Sequence, residues 1–261
     1  MIDTHAHVAM AGYDGGTVAV LERARLAGLQ HVICIGAGGD RAEAESALRV
    51  ARHFPGTSAI VGIHPHDAAK VDDALWADIC RLAAAPEVVA VGETGYDFHY
   101  MSSPPADQER VFRLHVQLAR KLGKPLCIHT RDAEPETLAL LREEGATAGV
   151  IHCFSGSMAL AEGALELGFY LSIPGIVTFK KPGEIPDVVR ACPLDRLLLE
   201  TDSPFLAPMP YRGKRNEPAL MVETLKAVAA LKGLDPAEVA RLTSQNARRL
   251  FGERLAVGLT P

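Results

Sequence analysis

Two histidines one residue apart, His5 and His7, stand in the opening stretch DTHAH. On a β-strand, residues i and i+2 project from one face. The two imidazoles would therefore point the same way and form half of a metal site. Taken alone, the pair is explained as well by surface histidines near a chain end. Comparable groups recur down the chain: "GIHPH" with His64 and His66, "GETGYD" with Glu93 and Asp97, "IHTRD" with His129 and Arg131, "IHCFSG" with His152, and "ETDSP" with Glu200 and Asp202. Each follows a short apolar run. A single histidine in such a place is more often a hydrogen-bonded core residue than a ligand. A series at the same point after successive runs asks for one explanation, because ionisable groups gathered away from water are costly unless they bind something.

His5, His7, Glu93, His129, His152 and Asp202 supply enough donors for two divalent cations. A carboxylate can give one oxygen to each ion, and Glu93, midway in the order of runs, is the better bridge. Two cations roughly 3.5–4 Å apart activate a water and hold the attacking and leaving oxygens of a phosphate. Asp202 is expected to act there as ligand and proton acceptor, with Glu93 as its catalytic partner. Mixed nitrogen and oxygen donors suit Zn²⁺, Mn²⁺ or Ni²⁺, whereas Mg²⁺ prefers oxygen and would be held less tightly. Mg²⁺, Mn²⁺ and Zn²⁺ are the candidate ions.

The elements that must hold these residues repeat. Eight apolar runs follow one another: Met1–Asp3, His31–Gly36, Ala59–Ile63, Val88–Val91, Pro125–Ile128, Gly149–Ile151, Phe169–Ile173 and Arg196–Leu199. Between most of them lie stretches of helical spacing, such as Val18–Gly28, Asp40–Phe54 and Gln108–Gly123, with Pro104 and Pro105 at a helix start and Gly28 and Gly123 at helix stops. Continuous apolar runs suit strands buried on both faces, as in a parallel sheet. Strand and helix alternating eight times in about 250 residues predicts a (β/α)8 TIM barrel, an α/β fold, with catalytic groups at the carboxyl ends of its strands. An open doubly wound sheet would want a Gly-rich phosphate fingerprint after the first strand, and "GAGGD" after the second run is a poor match.

No linker or low-complexity segment divides the 261 residues, so a single domain over 1–261 is expected. Hydrophobic residues make up 48% and charged residues 23%, the balance of an ordinary globular chain. No apolar run is long enough to span a bilayer and no signal-peptide pattern opens the chain, so a cytoplasmic protein without membrane contact is expected. The five cysteines are odd in number and unpaired in spacing, which excludes a disulfide framework and a zinc knuckle; Cys34, Cys127 and Cys153 lie in apolar runs and read as buried thiols. Oligomeric state leaves no mark in such a pattern, and a monomer is the simpler expectation. The formal net charge of −5 is unlike that of a protein that coats duplex DNA. Any nucleic-acid contact must then come from a local patch. Arg131, "FKKPG" with Lys180 and Lys181, and "PYRGKRNEP" with Arg212, Lys214 and Arg215 all follow late runs, where barrels often bind phosphate, and they predict an anionic substrate. Tyr96, Phe179 and Tyr211 could stack a base, although each taken singly is more often a packing residue.

Taken together, "DTHAH", "GIHPH", "GETGYD", "PLCIHTRDA", "HCFSGS", "LLLETDSPFLAPMPYRGKRNEP" and "NARRLF" resemble the TatD family of metal-dependent deoxyribonucleases, within the amidohydrolase-like barrels, from Asp3 to about Phe251. The resemblance implies hydrolysis of DNA phosphodiesters, as a 3′-to-5′ exonuclease favouring single strands. It implies one ion on His5, His7, Glu93 and Asp202, a second on Glu93, His129 and His152, and His64 and Arg131 facing substrate phosphate or supporting the ligands. The chain departs from the family at Tyr96, where Leu is usual, and at Phe98-His99, where an aromatic pair is usual. Both positions are expected to border the site; His99 could be an extra ligand or phosphate contact, but a histidine in such a place is more often a surface residue. Glu200 is expected to orient neighbours or pair with a basic loop.

Three rivals remain at this level. A lactonase, phosphotriesterase or deaminase could use the same scaffold. Many binuclear relatives of that kind bridge with a carboxylated lysine, and here Glu93 holds that place while Lys124 begins its strand at the wrong end. Hydrolysis of aminoacyl-tRNA esters would bring a polynucleotide 3′ end to the same mouth. A non-catalytic scaffold would be favoured by loss of a ligand, and all six are present.

Overall fold

Short aliphatic runs bounded by polar turns become eight strands in the computed structural model, which describes residues 1–10, 12–256 and 258–259. They are β1 (Ile2–Ala6), β2 (His31–Gly36), β3 (Thr57–Val61), β4 (Val88–Asp97), β5 (Leu126–Arg131), β6 (Gly149–Ile151), β7 (Tyr170–Ile173) and β8 (Leu197–Leu199). Neighbours pair in sequence order and in parallel from β1 to β8. The seam between β8 and β1 is drawn together just past the end of β8. There Ala6 bridges Ser203, Asp202 N donates to His5 O at 2.9 Å, and His7 N donates to Ser203 O at 2.7 Å. The result is the eight-stranded parallel barrel the alternation predicts.

Helices between the strands form the outer layer: α1 (Gly16–Leu26), α2 (Arg41–His53), α3 (Asp73–Ala83), α4 (Pro105–Leu122), α5 (Glu134–Glu143), α6 (Met158–Glu166) and α7 (Ile185–Ala191). Two more, α8 (Met221–Lys232) and α9 (Pro236–Phe251), follow β8. Local chemistry sets their ends. Asp40, Asp72, Ser157 and Asp235 accept from backbone N–H groups of the first turns of α2, α3, α6 and α9. Pro105 opens α4, and Gly123 ends it at φ 63°, a left-handed conformation that favours glycine. No helix among the described residues is long and apolar enough to cross a membrane.

Side chains alternate across the strands and make two apolar layers. Val32, Cys34, Ala59, Val61, Leu126, Ile128, Leu197 and Leu199 pack outward with the helices. Ile33, Ile35, Ile60, Cys127, Val150, Tyr170 and Leu198 fill the barrel, closed at its amino end by Phe251 and Leu255. This alternation places the site. Two residues past Cys127, Val150 and Leu198, the inward positions become His129, His152 and Glu200.

Three strands extend past the carboxyl ends of their apolar runs. β1 reaches Ala6 and so contains His5, β4 continues past Val91 through Glu93 to Asp97, and β5 continues past Ile128 through His129 to Arg131. A run defined by hydrophobicity stops at the first glycine or polar residue, whereas the hydrogen-bond ladder does not. Gly92 (φ 147°) and Gly95 (φ 137°) let β4 pass so close to β5 that a Cβ would collide with the carbonyl oxygens of Cys127 and His129.

Candidate metal centre

Glu93 is the point on which the strand ends converge. It is 4% exposed, and each of its oxygens meets imidazole. Oε2 lies 3.3 Å from His5 Nε2, while Oε1 lies 2.7 Å from His152 Nε2, 3.2 Å from His129 Nδ1 and 3.3 Å from His64 Nε2. Asp202 Oδ1 stands 3.7 Å from His5 Nε2 and 3.6 Å from His7 Nε2. All six residues expected as ligands therefore gather in one cluster, at the carboxyl end of the barrel.

The buried polar atoms test whether this set fits a cation. His5 Nε2 and both ring nitrogens of His152 are buried without an aligned hydrogen-bond partner, despite their short distances to carboxylates. Leaving such groups unpaired is expensive in a protein interior, and imidazole nitrogens converging on shared carboxylate oxygens are the donor set of a divalent cation. Three groups bring ligand atoms within 4.8 Å of one another: His5, His7 and Glu93; His64, Glu93 and His129; and His5, His152 and Glu200. The first matches three of the four donors expected for one ion. The other two divide the remaining donors differently from expectation, adding His64 and Glu200. His64 is set apart by its tautomer. Its Nδ1 accepts from His66 N at 3.1 Å, so in the neutral ring the proton lies on Nε2, which faces Glu93 as a donor rather than a ligand.

Charge balance follows from this packing. Burial opposes ionisation of Glu93, but His152, His64 and His129 outweigh it and hold the carboxyl well below its usual range. Burial is likewise overcome at Asp202 by His7, His5 and His152, so that carboxyl is also lowered. In His152, burial disfavours the imidazolium, yet Glu93 and Glu200 raise its pKa well above the ordinary value. His5 goes the other way, lowered by burial and by His152 stacked on it at 3.9 Å.

A further ring of residues holds these in place. Glu200 is fully buried, accepts from Cys153 N at 2.6 Å, and lies 3.5 Å from His152 Nδ1. It faces His152 rather than a basic loop. Asp97, 1% exposed, puts Oδ2 between His129 Nε2 (3.1 Å) and His66 Nε2 (2.9 Å), and Oδ1 accepts from Tyr100 N at 2.8 Å. A carboxylate behind a histidine in this way fixes its tautomer and orientation. Asp3 ties β1 to the segment after β8, accepting from Thr201 Oγ1 (2.6 Å), Thr201 N (3.0 Å) and His5 N (3.2 Å); burial pushes its carboxyl up to about 7. Asn216 donates to Thr201 O at 2.8 Å and Phe205 O at 2.6 Å, pinning the loop that carries Asp202.

Asp97 and His66 stand among the strand-end groups of the sequence but carry no assigned role there, and Asp3 and Asn216 have none. Strand period would have found Asp97, since Glu93, Gly95 and Asp97 share one face. The contacts of Asp3 and Asn216 reach far along the chain and leave no local signal.

A cavity of about 700 Å³ opens above Glu93, lined by His7, His64, His129, Arg131, His152 and Asp202 among others. Arg212, Lys214 and Arg215 are not among its lining residues. Arg212 lies over the Phe179 ring at 4.1 Å, Lys214 near the Tyr211 ring at 5.9 Å, and Arg215 near the Tyr13 ring at 5.8 Å. Tyr96 does not border the cavity as expected. It is 4% exposed and packs on Phe98 and Phe112, because the strand period turns it away from the face that Glu93 and Asp97 share. His99 lies at the surface beside Asp132. Cys34 and Cys127 are buried as expected, but Cys153 is half-buried and lines the cavity, its Sγ 3.7 Å from Asp202 Oδ2. Burial and the nearby Asp202, Glu200 and Glu93 raise its pKa and keep it a neutral thiol. Lys124 lies at the far end of β5, donating to Ala83 O and Ala85 O at 2.6 and 2.9 Å, away from Glu93.

A parallel eight-stranded barrel with histidines and carboxylates gathered at its carboxyl end is the arrangement of a metal-dependent hydrolase. The sequence pattern of the family described as TatD related DNase matches residues 2–252, and the chain belongs to that family. It is 40% identical over 253 residues to the "uncharacterized metal-dependent hydrolase YabD" of Bacillus subtilis, covering 96% of this chain and 98% of that one. It is 36% identical over 259 residues to the "3′-5′ ssDNA/RNA exonuclease TatD" of Klebsiella pneumoniae, covering 97% and 98%. Among solved structures, the TatD homolog YJJV of Escherichia coli superposes with a TM-score of 0.90 at 27% identity, over 96% of this chain and 97% of that one.

Proposed function

We propose that this chain hydrolyses phosphodiester bonds of single-stranded DNA from the 3′ end, with two divalent cations at the barrel mouth. The observation that carries the reading is Glu93, whose two oxygens meet histidines from both sides of the barrel while ring nitrogens of His5 and His152 lack hydrogen-bond partners. A relative of nearly equal length named as a 3′-5′ ssDNA/RNA exonuclease supports the substrate. His5, His7, Glu93 and Asp202 would hold one ion, and Glu93, His129 and His152 the other. When bound, the pair supplies Lewis acidity and a water acidic enough to attack at neutral pH.

The chain's own residues do the rest. Asp202, kept ionised by His7 and His5, accepts the proton of the attacking water. Arg131 lines the cavity as a donor to the phosphate oxygens, while His64, whose Nε2 lies 3.3 Å from Glu93 Oε1, supports that carboxylate. Asp97 fixes the ring of His129 by a hydrogen bond, and Glu200 places its charge 3.5 Å behind His152 Nδ1.

The test is incubation of metal-stripped protein with 3′-labelled and 5′-labelled single-stranded DNA, and with RNA of the same sequence, adding Mg²⁺, Mn²⁺ or Zn²⁺ in turn. Metal-dependent shortening from the 3′ end, lost in Asp202→Ala, is the expected result. Intact strands with every ion, alongside release of the amino acid from aminoacyl-tRNA, would replace this reading with ester hydrolysis.

A further inference from the structure

Seven large apolar side chains stand exposed among the described residues, and five of them (Met10, Tyr100, Met101, Phe205 and Met209) lie in loops at the carboxyl ends of β1, β4 and β8. Three of these, Met10, Tyr100 and Phe205, line the cavity. Exposed apolar surface gathered around one opening marks a binding surface rather than scatter. The two rings are 59% and 50% exposed at Tyr100 and Phe205, so neither is there to fill the core.

Topology sets these rings apart. In a barrel of eight strands in sequence order, β4 and β8 lie on opposite walls. Tyr100 therefore stands across the mouth from Phe205. Each is anchored through its backbone to a carboxylate residue of the site: Tyr100 N donates to Asp97 Oδ1 at 2.8 Å, and Phe205 N donates to Asp202 O at 3.0 Å. Asn216 holds the Phe205 carbonyl as well. The backbone beneath each ring is thus held before any ligand arrives, which lowers the ordering cost of binding. The Phe205 ring meets His7 edge-on at 5.9 Å, and the Arg131 guanidinium covers Tyr100 at 4.8 Å, bringing a cation to that wall.

We propose that Phe205 and Tyr100 are the base-recognition walls of the cavity, each stacking one of the two unpaired nucleobases that flank the phosphate above Glu93. The inference rests on the nuclease reading and adds to it the part of the substrate that is recognised. Bases on opposite walls cannot remain stacked on one another at the spacing of about 3.4 Å along a duplex strand. A paired end would have to open before it could bind. Stacking on an aromatic ring tolerates every base, so little sequence preference accompanies it.

The test compares hydrolysis of single-stranded oligonucleotides that are complete, or abasic at the terminal or penultimate 3′ position, by the metal-loaded enzyme. The phosphodiester is chemically the same in all three. The wild type should favour the complete strand by about fivefold to a hundredfold in kcat/KM at each position. Phe205→Ala and Tyr100→Ala should each bring that ratio towards one at one of the two positions, while Phe205→Trp and Tyr100→Phe retain it. A wild-type ratio near one, or ratios unchanged in both alanine variants, overturns the proposal and leaves the nuclease reading intact. If the wild type cleaves none of the three strands, the nuclease reading fails instead. Binding of an oligonucleotide ending in 2-aminopurine, with metal chelated, then decides the stacking. Fluorescence quenching by the wild type that the alanine variants lose supports the walls, and its absence rejects them.

Discussion

His115 and His152 are both buried histidines, yet they stand in opposite chemical surroundings. His115, on α4, is fully satisfied: its Nε2 accepts from Ile63 N at 2.9 Å, its Nδ1 meets Val111 O at 2.7 Å, and its ring packs on Trp76. Burial pushes its pKa down to about 4, so it stays neutral. His152 meets two carboxylates, lacks an aligned hydrogen bond at either nitrogen, and is raised well above the usual imidazole range because Glu93 and Glu200 overcome its burial. Burial alone does not mark a functional histidine. The mark is a ring nitrogen left without a protein hydrogen bond and facing a negative oxygen that other rings share.

The sharpest way to break this contrast is to remove its centre. Glu93→Ala should lower the rate of strand hydrolysis by on the order of a thousandfold or more, while His115→Gln stays within about twofold of wild type, since only the first belongs to a unit that acts together. Equal losses in the two variants, measured as single-turnover rates on labelled DNA, would erase the distinction.

His115 should instead appear in stability. Its folded-state pKa of about 4 lies below the ordinary value of 6.5, so the folded protein binds a proton less readily than the unfolded chain. Its contribution is therefore complete above about pH 6.5 and is lost as pH falls towards 4, by about 3 kcal/mol in all. Urea midpoints followed by Trp76 fluorescence should fall less steeply over that window in His115→Gln than in the wild type. Parallel slopes would show that the buried ring does not resist protonation.

The sequence made much of this legible because the physics involved is local. Apolar runs and helical spacing exposed the eight-fold alternation, and the strand-end position of His5, His7, Glu93, His129, His152 and Asp202 exposed the cluster. What remained hidden depends on partners distant along the chain. Asp3 meets Thr201, Asn216 meets Thr201 and Phe205, and Asp97 meets His66 and His129 across strands. The basic loops are a different case. Positive charge in sequence says nothing of what each side chain touches, and Arg212, Lys214 and Arg215 each lie near an aromatic ring, outside the lining of the cavity above Glu93. Hydrophobicity also cut β4 short at Val91, since close strand approach through Gly92 and Gly95 is a property of the pair, not of the run.

Smaller effects sharpen the comparison at its edges. Asp97→Asn keeps the shape behind His129 but removes the charge, and should weaken metal binding about 10- to 100-fold by competition titration. An affinity equal to wild type would leave Asp97 a mere filler. At the outer loops, Arg212→Ala and Lys214→Ala should change affinity for single strands only slightly, each reducing the slope of log affinity against log salt by no more than about 0.7. Arg131→Ala should take that full step. A larger change at Arg212 than at Arg131 would move the phosphate path away from the cavity.

Metal stoichiometry, measured on wild type, Glu93→Ala and His115→Gln, each reloaded after chelation, decides whether the unpartnered ring nitrogens converging on Glu93 form a centre for two divalent cations. Two ions per chain are expected in wild type and in His115→Gln, and none in Glu93→Ala. A wild type that holds no ion, or a Glu93→Ala variant that keeps both, would overturn the two-cation centre.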